Sequence, residues 1–168
     1  MKKLKLISES DHLTGALNRR AFYQKLARIT KYHKKQKGTL IILDLDHFKQ
    51  INDTYAHSFG DIVIKETAEQ LKKQISKQDL LARWGGEEFL IFLRGYDEQE
   101  AKIIANTMQQ HIAQYEFILT DEAINATVSI GVYHSNNIQL LDEGINHADE
   151  ALYKAKANGR NCVVVYNE

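Results

Sequence analysis

Two runs, Asp79-Leu80-Leu81-Ala82-Arg83-Trp84 and Phe89-Leu90-Ile91-Phe92-Leu93, read as β-strands on either side of Gly85-Gly86. Gly-Gly predicts a tight hairpin, because both residues take φ > 0 without steric cost. A tight hairpin joins antiparallel neighbours, which argues against a purely parallel, doubly wound sheet. The outgoing side of the turn carries two adjacent carboxylates, Glu87 and Glu88. Such neighbours repel without a cation, so a divalent metal is the simplest account of them. For these residues standing alone, a solvated acidic turn is the plainer reading.

The 168 residues fit one domain, large enough to bury roughly two thirds of its unfolded surface. Lys plus Arg number 22 and Asp plus Glu number 22, so no net field draws the chain to nucleic acid or to anionic lipid. No apolar run approaches the length of a membrane span, and no signal-peptide core follows Met1-Lys2-Lys3. The single cysteine, Cys162, excludes an internal disulfide framework and fits a reducing cytoplasm.

Residues 1–10 read as the end of an upstream linker or helix, and residues 11–168 as the domain proper. A helix is expected over Arg19 to Lys35, with Phe22, Leu26, Ile29 and His33 on one face and Gly38 ending it. The continuous apolar run Thr39 to Asp46 suggests a central strand buried on both faces. A short helical segment at Phe48 to Asn52 and a loop lead to a helix over Asp61 to Ile75, burying Ile64, Ala68, Leu71 and Ile75. Beyond the hairpin, Asp97 and Glu100 form a capping box for a helix carrying Ala101, Ile104, Met108 and Ile112 inward. Val128, Ile130 and Val132 share one face of a half-buried strand over Ala126 to Tyr133. A last helix, Leu140 to Asn158, buries Leu141, Ile145, Ala148 and Leu152, with Gly159 as its cap and a strand at Cys162 to Tyr166. This pattern fits an α+β fold with a ferredoxin-like or palm-type βαββαβ core. Its mostly antiparallel central sheet is flanked by helices, expected on one face.

Four separated motifs carry a resemblance. They are Asp11 to Arg20 (DHLTGALNRR), Asp44 to His57 with Gly60-Asp61 (DLDHFKQINDTYAH, GD), Gly85 to Phe89 (GGEEF), and Ala148 to Asn161 (ADEALYKAKANGRN). In this order and spacing they resemble the GGDEF-domain diguanylate cyclases, in the GGEEF spelling. Ala16 stands where Leu is usual, and Ala56 where Gly is usual.

The resemblance implies condensation of two GTP into cyclic di-GMP with release of pyrophosphate, by a homodimer of GTP-loaded domains under an upstream sensory or dimerising region. It implies Asp44, Glu87 and Glu88 as catalytic acids. Asp44, the Leu45 carbonyl, Glu87 and Glu88 would hold Mg²⁺, or Mn²⁺ in its place. An acid closing a buried strand and another leaving the adjacent hairpin agree with a hard oxygen site. Asn52 and Asp61 stand where the family reads guanine. A carboxylate accepts from the N1–H and amine of guanine, whereas adenine offers no donor at N1. Gly60-Asp61 equally reads as a helix N-cap. Lys156 and Arg160, four apart at a helix end, would meet the triphosphate, with Lys49, Gly85 and Gly86 as further substrate contacts. The same two cations also suit a helix C-terminus for dipole reasons alone.

Many members of the family that the chain resembles carry an inhibitory product site of pattern R-x-x-D, and at the matching positions this chain reads Ser76-Lys77-Gln78-Asp79, a degenerate form. Asp79 is retained, but Ser76 replaces the arginine, and a hydroxyl cannot stand in for a planar cation with five donors. Tight product inhibition is therefore not expected. The expected location is the cytoplasm, with no nucleic acid partner and no direct membrane contact from this chain, although a full-length protein could be tethered upstream. The alternatives are a catalytically silent GTP-binding receptor domain and an unrelated interaction domain of ferredoxin-like fold. The intact GGEEF run, with Asp44 and Asn52 present, favours the enzyme over the first.

Overall fold

The computed structural model describes residues 7–33, 35–55, 57–138 and 141–167. The elements follow in the order α1 (Arg19–Tyr32), β1 (Gly38–Leu45), α2 (Phe48–Tyr55), α3 (His57–Lys72), β2 (Leu80–Arg83) and β3 (Glu88–Arg94). Then come α4 (Glu98–Gln114), β4 (Glu116–Leu119), β5 (Glu122–Asn125), β6 (Val128–Ser135), α5 (Leu141–Ala157) and β7 (Val163–Val165). Five strands form one sheet in the order β2-β3-β1-β6-β7, all antiparallel except the β6–β7 pair. The expected α+β fold with a mostly antiparallel central sheet is the one observed.

β1 is the middle strand, and every one of its residues is buried. Its alternation divides the core. Ile41, Leu43 and Leu45 face α3 and α4, where Val63, Ile64, Ala68, Leu71, Ala105, Met108 and Ile112 meet them. Leu40 and Ile42 face the other way, onto Phe22 and Leu26 of α1 and Ile145, Ala148 and Leu152 of α5. Helices therefore cover both faces of the sheet, not one as the sequence suggested. The same coverage buries Ser129 and Gly131 on the α5 side of β6, so that strand is buried on both faces at its start.

Several boundaries differ from expectation. α1 ends at Tyr32, three residues short of Lys35, and His33 is its C-cap, donating its N–H to the Ile29 carbonyl. Gly38 opens β1 instead of ending a helix. Gly60 and Asp61 lie inside α3, so the N-cap reading of Asp61 fails. Glycine inside a helix costs about 0.5–1 kcal/mol relative to alanine, which calls for a compensating reason at that position. The Asp97 cap holds, its carboxylate accepting from the Glu100 N–H at 2.8 Å. Gly159 follows α5 at φ +105. The expected roles of residues 1–6, Ala56, Leu140 and the Leu141 side chain lie outside the described residues. The β4–β5 hairpin had no counterpart in the sequence reading. Most of its residues are exposed or half-exposed, so they carry little alternation to detect.

β6 and α5 meet at closer range than any side chain permits. A Cβ at Gly131 would lie 2.1 Å from the Ala148 carbonyl oxygen and 2.3 Å from the Leu152 nitrogen. Both are helix backbone atoms and cannot rotate away. Gly131→Ala is expected to destabilise the domain by about 2 kcal/mol or more through displacement of α5, measured as a lowered urea midpoint.

Candidate active site

Strand parity and register place the acids. Asp44 has the parity of Leu40 and Ile42, so it faces α5, and it lies directly opposite Glu88 on β3 and Ser129 on β6. Glu88 shares the face of Leu90 and Phe92 for the same reason. The signature turn is joined to the end of β1 through the Leu45 N–H, which donates to the Glu87 carbonyl at 3.2 Å. Asp44, Leu45, Glu87 and Glu88 thus gather at one end of the central strand pair.

From α5, Lys156 Nζ donates to Asp44 Oδ2 at 2.8 Å. Burial nevertheless dominates and raises the Asp44 pKa, with Lys156 opposing and Asp46 adding to the rise. The Glu88 pKa is also raised, by burial first and then by the negative charges of Asp44 and Asp149. The cluster is therefore short of positive charge when both acids ionise. Its donors are hard oxygens, which suits a divalent cation of the magnesium class bound by one or two carboxylates with other positions left to water or phosphate. Among the described residues no three His, Cys, Asp or Glu side chains stand close enough together to hold a metal ion by themselves.

Asp46 anchors the neighbouring cation. Its carboxylate accepts from Thr127 Oγ1 and Ser129 Oγ, each at 2.6 Å, and from the Asn161 N–H at 3.0 Å. Arg160 Nη1 lies 4.0 Å from it. Gly159, Arg160 and Asn161 all have positive φ, at 105°, 67° and 48°. Left-handed backbone at two non-glycine residues is strained, and Asp46 is among the groups that hold it.

The opening motif fastens the signature turn. Asp11 Oδ2 accepts from the Thr14 N–H at 3.0 Å and from Thr14 Oγ1 at 2.8 Å. Arg83 Nη1 reaches Asp11 at 3.3 Å, while its Nη2 donates to the Gly86 carbonyl at 2.9 Å. Burial raises the Asp11 pKa, but the Thr14 hydrogen bonds and the Arg83 charge together outweigh it and leave the value lowered. Arg19 donates from Nε to the Trp84 carbonyl at 2.7 Å, and its guanidinium lies over the Trp84 ring at 4.4 Å. Gly85 and Gly86 themselves do not have positive φ, contrary to expectation. A Cβ at Gly85 would come within 3.2 Å of Glu88 Oε2, whereas one at Gly86 would meet nothing within 4 Å.

Asn52 projects from α2, half-buried, and its Oδ1 is buried without a hydrogen-bond partner among the described residues. Asp61 and Lys49 are exposed on α3 and α2. Sequence reasoning assigned no role to Arg83, Asp46 or Asp149. Asp149 sits seven residues before Lys156, two helical turns along the same face of α5, and that spacing was the available signal.

Asp79 has a structural occupation. It accepts from the Ser76 N–H at 2.8 Å, from Ser76 Oγ at 3.0 Å and from the Arg94 N–H at 3.0 Å. Ser76 therefore closes a turn onto Asp79 where the family pattern has an arginine.

The fold and site together are those of an α+β domain: a palm-type sheet with an acid cluster at the end of its central strand, bordered by Lys156 of α5 and by Arg160 just beyond that helix. The family profile "Diguanylate cyclase, GGDEF domain" matches residues 8–162, and the chain belongs to that family. It is 38% identical over 168 residues to the probable diguanylate cyclase DgcT of Escherichia coli, covering 98% of this chain and 37% of that protein. It is likewise 38% identical over 165 residues to the E. coli diguanylate cyclase DgcM, covering 97% and 40%. The chain thus spans well under half of these relatives. Among solved structures, the GGDEF domain of Caulobacter crescentus DgcB in complex with c-di-GMP superposes with TM-score 0.90 at 28% identity, covering 98% of this chain and 99% of that one. Diguanylate cyclase SiaD of Pseudomonas aeruginosa, solved with its activator SiaC, gives 0.88 at 34%, covering 94% and 62%.

Asp79→Ala leaves three donors without their acceptor, two of them backbone N–H groups. A loss of about 2–4 kcal/mol in unfolding free energy is expected, measured by urea denaturation.

Proposed function

We propose that this domain condenses two GTP into cyclic di-GMP, releasing two pyrophosphates, as a homodimer in which each domain carries one nucleotide. The observation that carries the reading is the acid cluster of Asp44, Glu87 and Glu88 at the end of β1, bordered by Lys156 and Arg160. The identity to named diguanylate cyclases supports it. In each of two equivalent steps, the 3′-hydroxyl of one GTP attacks the α-phosphorus of the other. The new phosphodiester forms as the bond to pyrophosphate breaks, and the hydroxyl proton leaves.

The residues divide the work. Asp44, the Leu45 carbonyl, Glu87 and Glu88 would hold Mg²⁺ or Mn²⁺, which supplies neutralisation of phosphate charge and a more acidic 3′-hydroxyl when bound. Lys156 and Arg160 bear on the triphosphate, with Lys49 and the backbone at Gly85 and Gly86 as further contacts. Asp61 accepts from the guanine N1–H and amine, and Asn52 offers an amide donor and acceptor beside it. Glu88, directly opposite Asp44 across the strand pair, would assist placement of the metal or of the reacting phosphate. Because Ser76 and Asp79 are engaged with each other, product feedback through that turn is weak.

We place the domain in the cytoplasm, where GTP is available, downstream of a sensory or dimerising region. The C. crescentus DgcB structure that includes a coiled coil with its GGDEF domain supports an attached dimerising region, and the greater length of the relatives leaves room for one. No helix among the described residues is long and apolar enough to cross a membrane.

Asp44→Ala and Glu87→Ala are each expected to lower cyclic di-GMP formation by about a hundredfold or more, with the circular dichroism spectrum unchanged. Turnover of GTP with Mg²⁺, followed by nucleotide chromatography, measures it. Wild-type rates in Asp44→Ala would remove the acid cluster from the mechanism.

A further inference from the structure

Gly60 is placed where a helix gains nothing from glycine. It lies inside α3, is buried, and is not among the positive-φ glycines. Its backbone therefore needs no conformational freedom, and the reason for it must be spatial. A Cβ there would lie 1.9 Å from Asn52 Oδ1, and 3.0 Å from both Asn52 Cγ and the Phe48 ring. The Asn52 amide thus rests directly on the bare backbone of α3, with Phe48 closing the same seat from α2.

A second observation points to what the seat serves. Asn52 Oδ1 is buried and has no hydrogen-bond partner among the described residues. A buried amide oxygen left unpaired is unfavourable, and no hydrogen bond among the described residues offsets it. A ligand donor would satisfy it. Asp61, the residue after Gly60, is exposed on the same helix. The missing side chain at Gly60 therefore brings the amide of one helix against the turn of the other that carries the carboxylate.

We propose that Gly60 is a specificity-determining positioning residue for the purine base: by carrying no side chain it holds the Asn52 amide in its base-reading orientation beside Asp61. The proposal rests on the reading of Asn52 and Asp61 as the guanine-contacting pair. Gly60 touches no substrate atom and acts through Asn52. The nearest atom a new Cβ would meet is the far end of the Asn52 side chain, and the Phe48 ring at 3.0 Å needs to give by only a few tenths of an ångström, so Gly60→Ala is expected to fold. The amide swings out of the seat while the phosphate and acid residues stay in place.

The probes are 3′-deoxy-GTP and 3′-deoxy-ATP with Mg²⁺, which lack the attacking hydroxyl and so report binding without turnover. In calorimetry, Gly60→Ala is expected to weaken 3′-deoxy-GTP about tenfold and to leave 3′-deoxy-ATP unchanged. With GTP as substrate, KM rises and kcat is retained. In an Asn52→Ala background, adding Gly60→Ala has no further effect, because the two act as one unit. The side-chain amide resonances of Asn52 in the free protein shift in Gly60→Ala. If the variant binds 3′-deoxy-GTP as the wild type does, or loses the same affinity in the Asn52→Ala background, the proposal is overturned alone. A wild type that does not prefer 3′-deoxy-GTP to 3′-deoxy-ATP overturns the base-reading assignment together with it.

Discussion

The structure depends on one placement: an acid at the end of a strand that is otherwise buried on both faces. β1 can occupy the middle of the sheet because its residues up to Leu43 are apolar or, like Thr39, hydrogen-bonded. Helices on both sides then seal it. Asp44 inherits that burial, and its charge is compensated only in part by Lys156. Antiparallel pairing with β3 adds Glu88 directly opposite, and the turn that leads into β3 adds Glu87. Two acids whose ionisation is made harder by their surroundings are a stability cost in the free chain. In the function proposed above, a bound cation with its nucleotide would turn that cost into affinity.

Around this centre the motifs act as fasteners more than as contacts. Asp11, Thr14 and Arg83 tie the chain entering the domain to the Gly86 carbonyl, so the path into α1 and the signature turn share one hydrogen-bonded unit. Asp46 does the same for the strained Gly159–Asn161 turn and hence for Arg160. Both devices hydrogen-bond a peripheral segment to residues that adjoin the acids in sequence.

The sequence was most legible where one physical factor dominated. The apolar run of β1, the Asp97 cap and the left-handed Gly159 each follow from a single local preference, and each is observed. It was least legible at glycines that are not there for a left-handed backbone. Gly85 and Gly86 look like a two-residue turn with positive φ but have none, because the Trp84 N–H and Gly85 N–H both turn back to the Glu88 carbonyl around a longer loop. Gly60 looks like a helix boundary but makes room for Asn52. Helix coverage of the second face went unread because α1 and α5 are amphipathic helices like the others, and periodicity does not say which face of a sheet a helix will choose. The acids and cations of the site were visible as types and spacings. Arg83 and Asp46 were not, since their importance lies in what they hold.

The central claim is that two copies of this acid cluster, each carrying GTP, complete one reaction. Wild-type domain incubated with GTP and Mg²⁺ across a wide range of protein concentration, with products separated by nucleotide chromatography, tests it most directly. The account predicts cyclic di-GMP with two pyrophosphates per product, at a specific activity that rises with protein concentration. Absence of cyclic di-GMP at every concentration, or a specific activity that stays constant while the protein remains monomeric, would contradict it.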